Sequence, residues 1–215
     1  MEELYGFTFS GDWSEGELNT LQAAVSTIES YLDTHGSLLP GVEWVRKYLP
    51  VRFKHGSLLG NNFVLAGTMY LIHGFIKSTV IHEFGHVLDN NIGYTRRRER
   101  RALGNHWPRP LDAAIFGKGP SDDLFTAMGG DPAKGSLGLR FVNGDNKSGY
   151  LNDVGAMKTL PEGVRFNHGL YANHCTADYF AETWKAMISG DDMSLPKAPP
   201  TPTRNWMDNF ISTLQ

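Results

Sequence analysis

"STVIHEFGHVLDNN", residues 78–91, decides how the rest of the chain is read. Its apolar positions and length predict a helix over roughly 75–90, following the glycine-bounded strand "GTMYLIHG". Residues four apart share a helix face, so His82 and His86 project together and can give two imidazole nitrogens to one ion. Glu83 sits one step around, placed to take a proton from water bound to the same ion. Two histidines and a glutamate in one turn of an apolar helix carry a desolvation cost that a metal would offset. The ion this pattern points to is Zn2+.

Outward from that helix the pattern is an α+β chain. "YGFTFSGDW", "VRFKHG", "NFVLAG" and "GTMYLIHG" read as short strands. Leu18, Leu21, Val25, Ile28 and Leu32 mark a long amphipathic helix that Ser14 can cap and Gly36 follows. "GVEWVRKYL" is a shorter helix stopped by Pro50, "TADYFAETWKAMISG" a strong one, and "RNWMDNFISTL" a last one after a Pro-rich connector. Residues 94–163 are rich in Gly, Pro and Asp. They read as a loop-rich insertion, with a short helix near 110–116, inside a single domain of 215 residues.

The net charge of −3 gives no general case for nucleic-acid or membrane-surface binding, and no apolar run reaches the roughly 20 residues of a membrane span. A single cysteine, Cys175, allows no internal disulfide and reads as a structural thiol. The basic cluster "RRRERR", residues 96–101, reads as a solvated helix continuation or loop. His73, His106, His168 and His174 read as ordinary hydrogen-bonded or surface histidines. No signal peptide is visible at the start of the sequence.

A catalytic zinc takes three protein ligands and keeps one open position. Asp89 and Ile92 occupy the places where a three-histidine motif needs glycine and histidine, so the third ligand lies elsewhere. Asp178 and Glu182, four apart in "ADYFAETW", share one helix face. Either can ligate while the other holds a ligand histidine from behind, and reach favours Glu182. Asp89 is placed to orient His86 or to cap the helix.

"HEFGHVLD" followed by "ADYFAETW" resembles the catalytic domain of anthrax lethal factor and the related Pro-Pro endopeptidases. The resemblance covers about a third of the chain and implies a zincin-like metallopeptidase, with a small mixed sheet, an active-site helix and a second ligand-bearing helix. In that family the first acidic residue of a Glu-Phe-Phe-Ala-Glu pattern is the third ligand. Here that place is Asp178, one methylene shorter, with Glu182 at the pattern's end. A family tyrosine seven residues earlier falls on Tyr171 and implies stabilisation of the transition state. The resemblance further implies secretion, a peptide or protein substrate and an edge strand that pairs with it; "GTMYLIHG" reads equally as that edge or as an internal strand without substrate contact, and the chain is expected to be a monomer. Two other classes fit the same residues: a zinc-bearing binding module without proteolysis, and a zinc hydrolase of non-peptide substrates.

Overall fold

The computed structural model describes residues 1–35, 37–56, 62–65, 67–102, 119–131, 158–166, 176–190 and 198–214. In chain order these form α1 (Glu2–Tyr5), β1 (Thr8–Ser10), α2 (Glu15–Thr34), α3 (Gly41–Tyr48), β2 (Arg52–His55), β3 (Phe63–Leu65), β4 (Thr68–Leu71), α4 (Lys77–Ala102), α5 (Pro120–Ala127), a 3-10 turn (Glu162–Val164), α6 (Thr176–Ser189) and α7 (Thr201–Thr213). The architecture is α+β with a small mixed sheet, as the sequence pattern predicts.

The sheet order is β1-β2-β4-β3. β1, β2 and β4 run parallel, and β3 turns back antiparallel to β4, with Val64 opposite Met69. Gly67, at φ +74°, makes the reversal between β3 and β4, a conformation that a side chain disfavours. β4 is therefore an internal strand. Of the two readings of "GTMYLIHG", edge or internal, the internal one holds: among the described residues the edge beside it is β3. The reason is that strand order is a nonlocal pairing choice, which a hydrophobic run does not encode.

The core lies between the sheet and the helices. Phe7 packs edge-on against Phe53, and both approach Phe84 of α4. The buried faces of α2, α4 and α6 close over them. α2 starts on a capping box: Ser14 Oγ accepts from Glu17 N, and the Glu17 carboxylate accepts from Ser14 N at 2.9 Å. α6 is anchored by Tyr179, whose hydroxyl donates to the Val164 carbonyl at 2.6 Å and meets Thr203 Oγ1 of α7 at 2.9 Å. α7 starts at Thr201, three residues before the predicted start, because Pro202 is tolerated in a first helical turn.

α4 runs past residue 90 to Ala102, so the opening of the expected loop-rich stretch is helix. The basic cluster lies on this continuation, and its first residue, Arg96, pairs with Asp123 of α5. α5 is a helix within the 94–163 stretch, but at 120–127. The short helix expected near 110–116 falls outside the described residues.

Candidate metal centre

α4 and α6 pack against each other and supply every described side chain of the centre. Their contact depends on two small residues. A Cβ built on Gly85 would lie 2.8 Å from Cα of Ala181, 3.1 Å from its Cβ and 3.2 Å from Cδ1 of Trp184. Glycine inside a helix costs about 1 kcal/mol against alanine. Here it lets the backbones approach closely. Trp184 backs the contact, stacked on Trp44 at 5.8 Å.

That approach brings the buried Asp178 to the two histidines. Nε2 of His82 and Nε2 of His86 lie 3.1 Å apart. Asp178 Oδ1 is 3.3 Å from His86 Nε2 and 3.9 Å from His82 Nε2. Ligands on a tetrahedral ion with bonds near 2.0 to 2.1 Å stand about 3.3 Å from one another. Two of the three separations match the edge of a tetrahedral face, and the third, from Asp178 to His82, is about 0.6 Å longer. Glu182, the carboxylate favoured by reach, is elsewhere: its Oε1 lies 2.8 Å from Nδ1 of His82, the nitrogen facing away from Asp178. The approach is bent, leaving that nitrogen without an aligned hydrogen bond. The other oxygen of Glu182 accepts from Lys185 Nζ at 2.6 Å. Burial pushes the Glu182 carboxyl up, but His82 and Lys185 outweigh it and bring it to about 2.

Glu83 is 5% exposed, and its Oε2 has no hydrogen-bond partner among the described residues. Burial raises its carboxyl above the usual range, the two histidines pull it down and Asp178 pushes it up. For His86, burial lowers the ring, but the Asp178 hydrogen bond and the charges of Glu83, Asp178 and Asp89 raise it to about 9. Two imidazole nitrogens facing each other, a carboxylate beside them and an orphaned carboxylate oxygen form a donor set that fits a divalent ion with a water.

Asp89 neither caps its own helix nor touches His86. It holds the N-terminus of α5, accepting from Ser121 N at 2.8 Å and from Ser121 Oγ at 2.9 Å. Gly119 makes room for it: a Cβ there would fall 2.1 Å from Asp89 Oδ1. Burial raises Asp89 to about 6 against the lowering effect of the Ser121 bonds. Tyr171, His106, His168, His174 and Cys175 lie outside the described residues.

The sequence reading missed a second convergence. Glu17, His55 and His73 meet at one end of the sheet, with ligand atoms all within 4.8 Å of one another. The residues are 38 and 56 positions apart, so no local spacing reveals them.

No protein-family model matches the chain, and no solved structure matches it. Among curated proteins it is similar to stearoyl-[acyl-carrier-protein] 9-desaturase 2, chloroplastic, from Arabidopsis thaliana, at 28% identity over 113 residues. The match covers 48% of this chain and 27% of the desaturase, an extent that assigns no family. No helix among the described residues is long and apolar enough to cross a membrane.

Proposed function

We propose that the chain is a zinc-dependent endopeptidase with a zincin-like fold, its ion held by His82, His86 and Asp178. The observation that carries this reading is the His82–His86–Asp178 triangle beside the orphaned Oε2 of Glu83. A zinc ion there supplies Lewis acidity and lowers the pKa of water. Glu83 accepts the water's proton at its free oxygen and delivers it to the leaving amine. Its raised affinity for protons suits both transfers. Glu182 sets its carboxylate 2.8 Å behind the rear nitrogen of His82, a charge that favours the ring as a ligand. Tyr171, carried over from the lethal-factor resemblance, donates its hydroxyl to the developing oxyanion. A peptide substrate is supported by β3, which among the described residues is an edge strand packed near α4, since an extended peptide can add to such an edge.

The test is Glu83→Gln, with bound zinc and cleavage of a broad peptide library both measured. The expected result is full zinc content with cleavage lowered by about 100-fold or more. Retained zinc with intact cleavage refutes the mechanism. Intact zinc and no cleavage by the wild-type chain points to a binding module or to a non-peptide substrate.

The donor set leaves room for a second reading, a non-haem iron centre. Glu83-Phe84-Gly85-His86 is also a Glu-x-x-His sequence, and two histidines with one carboxylate suit Fe(II) as well as zinc. A di-iron carboxylate centre needs that motif on two helices. The sequence has it once, and α6 carries no histidine. Metal analysis of the purified chain separates the readings.

A further inference from the structure

We propose that Glu17, His55 and His73 form a second divalent-cation site, independent of the centre on α4, for an ion of the Zn2+, Ni2+, Co2+ and Cu2+ class. The three residues come from three elements. His55 ends β2, His73 follows the parallel β4 at the same end of the sheet, and Glu17 is in the first turn of α2. Glu17 Oε1 lies 3.0 Å from His55 Nε2 and 3.1 Å from His73 Nδ1. These separations are close to the edge of about 3.3 Å that a tetrahedral ion with bonds of 2.0 to 2.1 Å imposes on its ligands.

The site is built rather than a chance meeting of surface groups. Ser14 N and Ser14 Oγ, at 2.9 and 2.7 Å, hold the second oxygen of Glu17 and leave the first directed at the imidazoles. His55 is fixed on its apolar side by Trp13, whose ring meets it edge-on at 5.0 Å. Gly11 lets the chain pass over it, since a Cβ there would sit 3.0 Å from His55 Cβ. The two imidazole rings are 4.0 Å apart at 62°. The His73 side chain is 83% exposed, so the remaining coordination position opens to solvent.

Two imidazoles and one carboxylate select the borderline class of ion. Mg2+ and Ca2+ prefer all-oxygen sites, and the absence of a thiolate or thioether disfavours Cu(I). An ion here ties the start of α2 to the ends of β2 and β4. It also fixes His73, four residues before Lys77, where α4 begins. The chemical role is a strut rather than a catalytic centre.

The experiment uses the full chain, stripped by a chelator and titrated with Zn2+ against a chromophoric competitor. Wild type is expected to take two equivalents and His82→Ala/His86→Ala one. His73→Ala, a change at an exposed side chain, is expected to weaken one of the two by roughly tenfold or more. In the His82→Ala/His86→Ala background, Ni2+ is expected to quench Trp13 fluorescence, with the quenching lost on Trp13→Phe. The proposal is overturned if His82→Ala/His86→Ala binds no zinc, or if His73→Ala leaves both equivalents at wild-type affinity. Loss of the α4 centre alone leaves the second equivalent in place, so failure of the peptidase reading is distinguishable from failure of this one.

Discussion

Gly85→Ala tests the geometry on which the α4 centre rests. The added methyl would start 2.8 Å from Ala181 Cα, and ordinary contact begins at 3.4 Å, so α4 and α6 must separate locally by about 0.6 Å. Asp178 Oδ1 already stands 3.3 and 3.9 Å from the two Nε2 atoms. Moving it outward by that amount takes the His86 separation past the roughly 3.3 Å edge of a tetrahedral face and lengthens the His82 separation, which already exceeds it. Overpacking costs about 1–3 kcal/mol, while replacing a mid-helix glycine with alanine returns about 1 kcal/mol. The expected outcome is a folded variant destabilised by about 0–2 kcal/mol and binding zinc at least tenfold more weakly. Asp178→Glu adds one C–C bond of about 1.5 Å, which more than spans the gap. By itself it crowds a buried position and weakens the metal; combined with Gly85→Ala it is expected to recover affinity, a coupling that a double-mutant cycle measures. Chelator competition gives affinity and denaturant melts give stability. If Gly85→Ala keeps wild-type zinc affinity and gains about 1 kcal/mol, the close approach does not set the reach of Asp178.

Other outcomes follow from the same geometry. Asp178→Ala should abolish zinc binding at the α4 centre, whereas Glu182→Gln should weaken it by about 10–100-fold because only the support of His82 is lost; equilibrium dialysis distinguishes them. Asp89 titrates at about 6 in the fold against 3.8 as its ordinary value, so the unfolded chain loses its proton first. The fold then loses roughly 3 kcal/mol of Asp89-linked stability as pH rises between those values. Asp89→Asn cannot titrate; its stability relative to wild type should be higher at about pH 7.5 than at about pH 4, and a pH-independent difference in denaturant melts refutes the assignment. Tyr179→Phe removes a buried donor to the Val164 carbonyl and should cost about 1–3 kcal/mol in the same melts.

Local chemistry was legible without the fold. The 3.6-residue period placed His82, Glu83 and His86 on one turn, because helical neighbours are fixed by sequence spacing. Ser14 as the cap of α2 reads the same way, while the reciprocal Glu17 bond is seen in the structure. The four strands were visible as short apolar runs between turn residues, but their order was not, since pairing joins segments through backbone groups that every sequence shares. Hence β3, not β4, is at the edge. The reach of α4 to Ala102 was missed because its last turns carry charge instead of an apolar stripe.

By itself the sequence determined a helix with two histidines and a glutamate on one turn, an α+β order of elements and two candidate carboxylates on one face of a second helix. The family resemblance pointed to Asp178, and the tertiary structure sets its Oδ1 beside the two Nε2 atoms with Glu182 at Nδ1 of His82. Asp178 and Glu182 share one helix face by spacing, and which nitrogen each meets depends on how α4 and α6 pack, closely so at Gly85 against Ala181. The tertiary structure also decided that Asp89 belongs to α5, and that Glu17 serves a helix cap with one oxygen and two distant histidines with the other. Spacing along a chain fixes which side chains share a face. What those faces meet depends on how closely the backbones can pack.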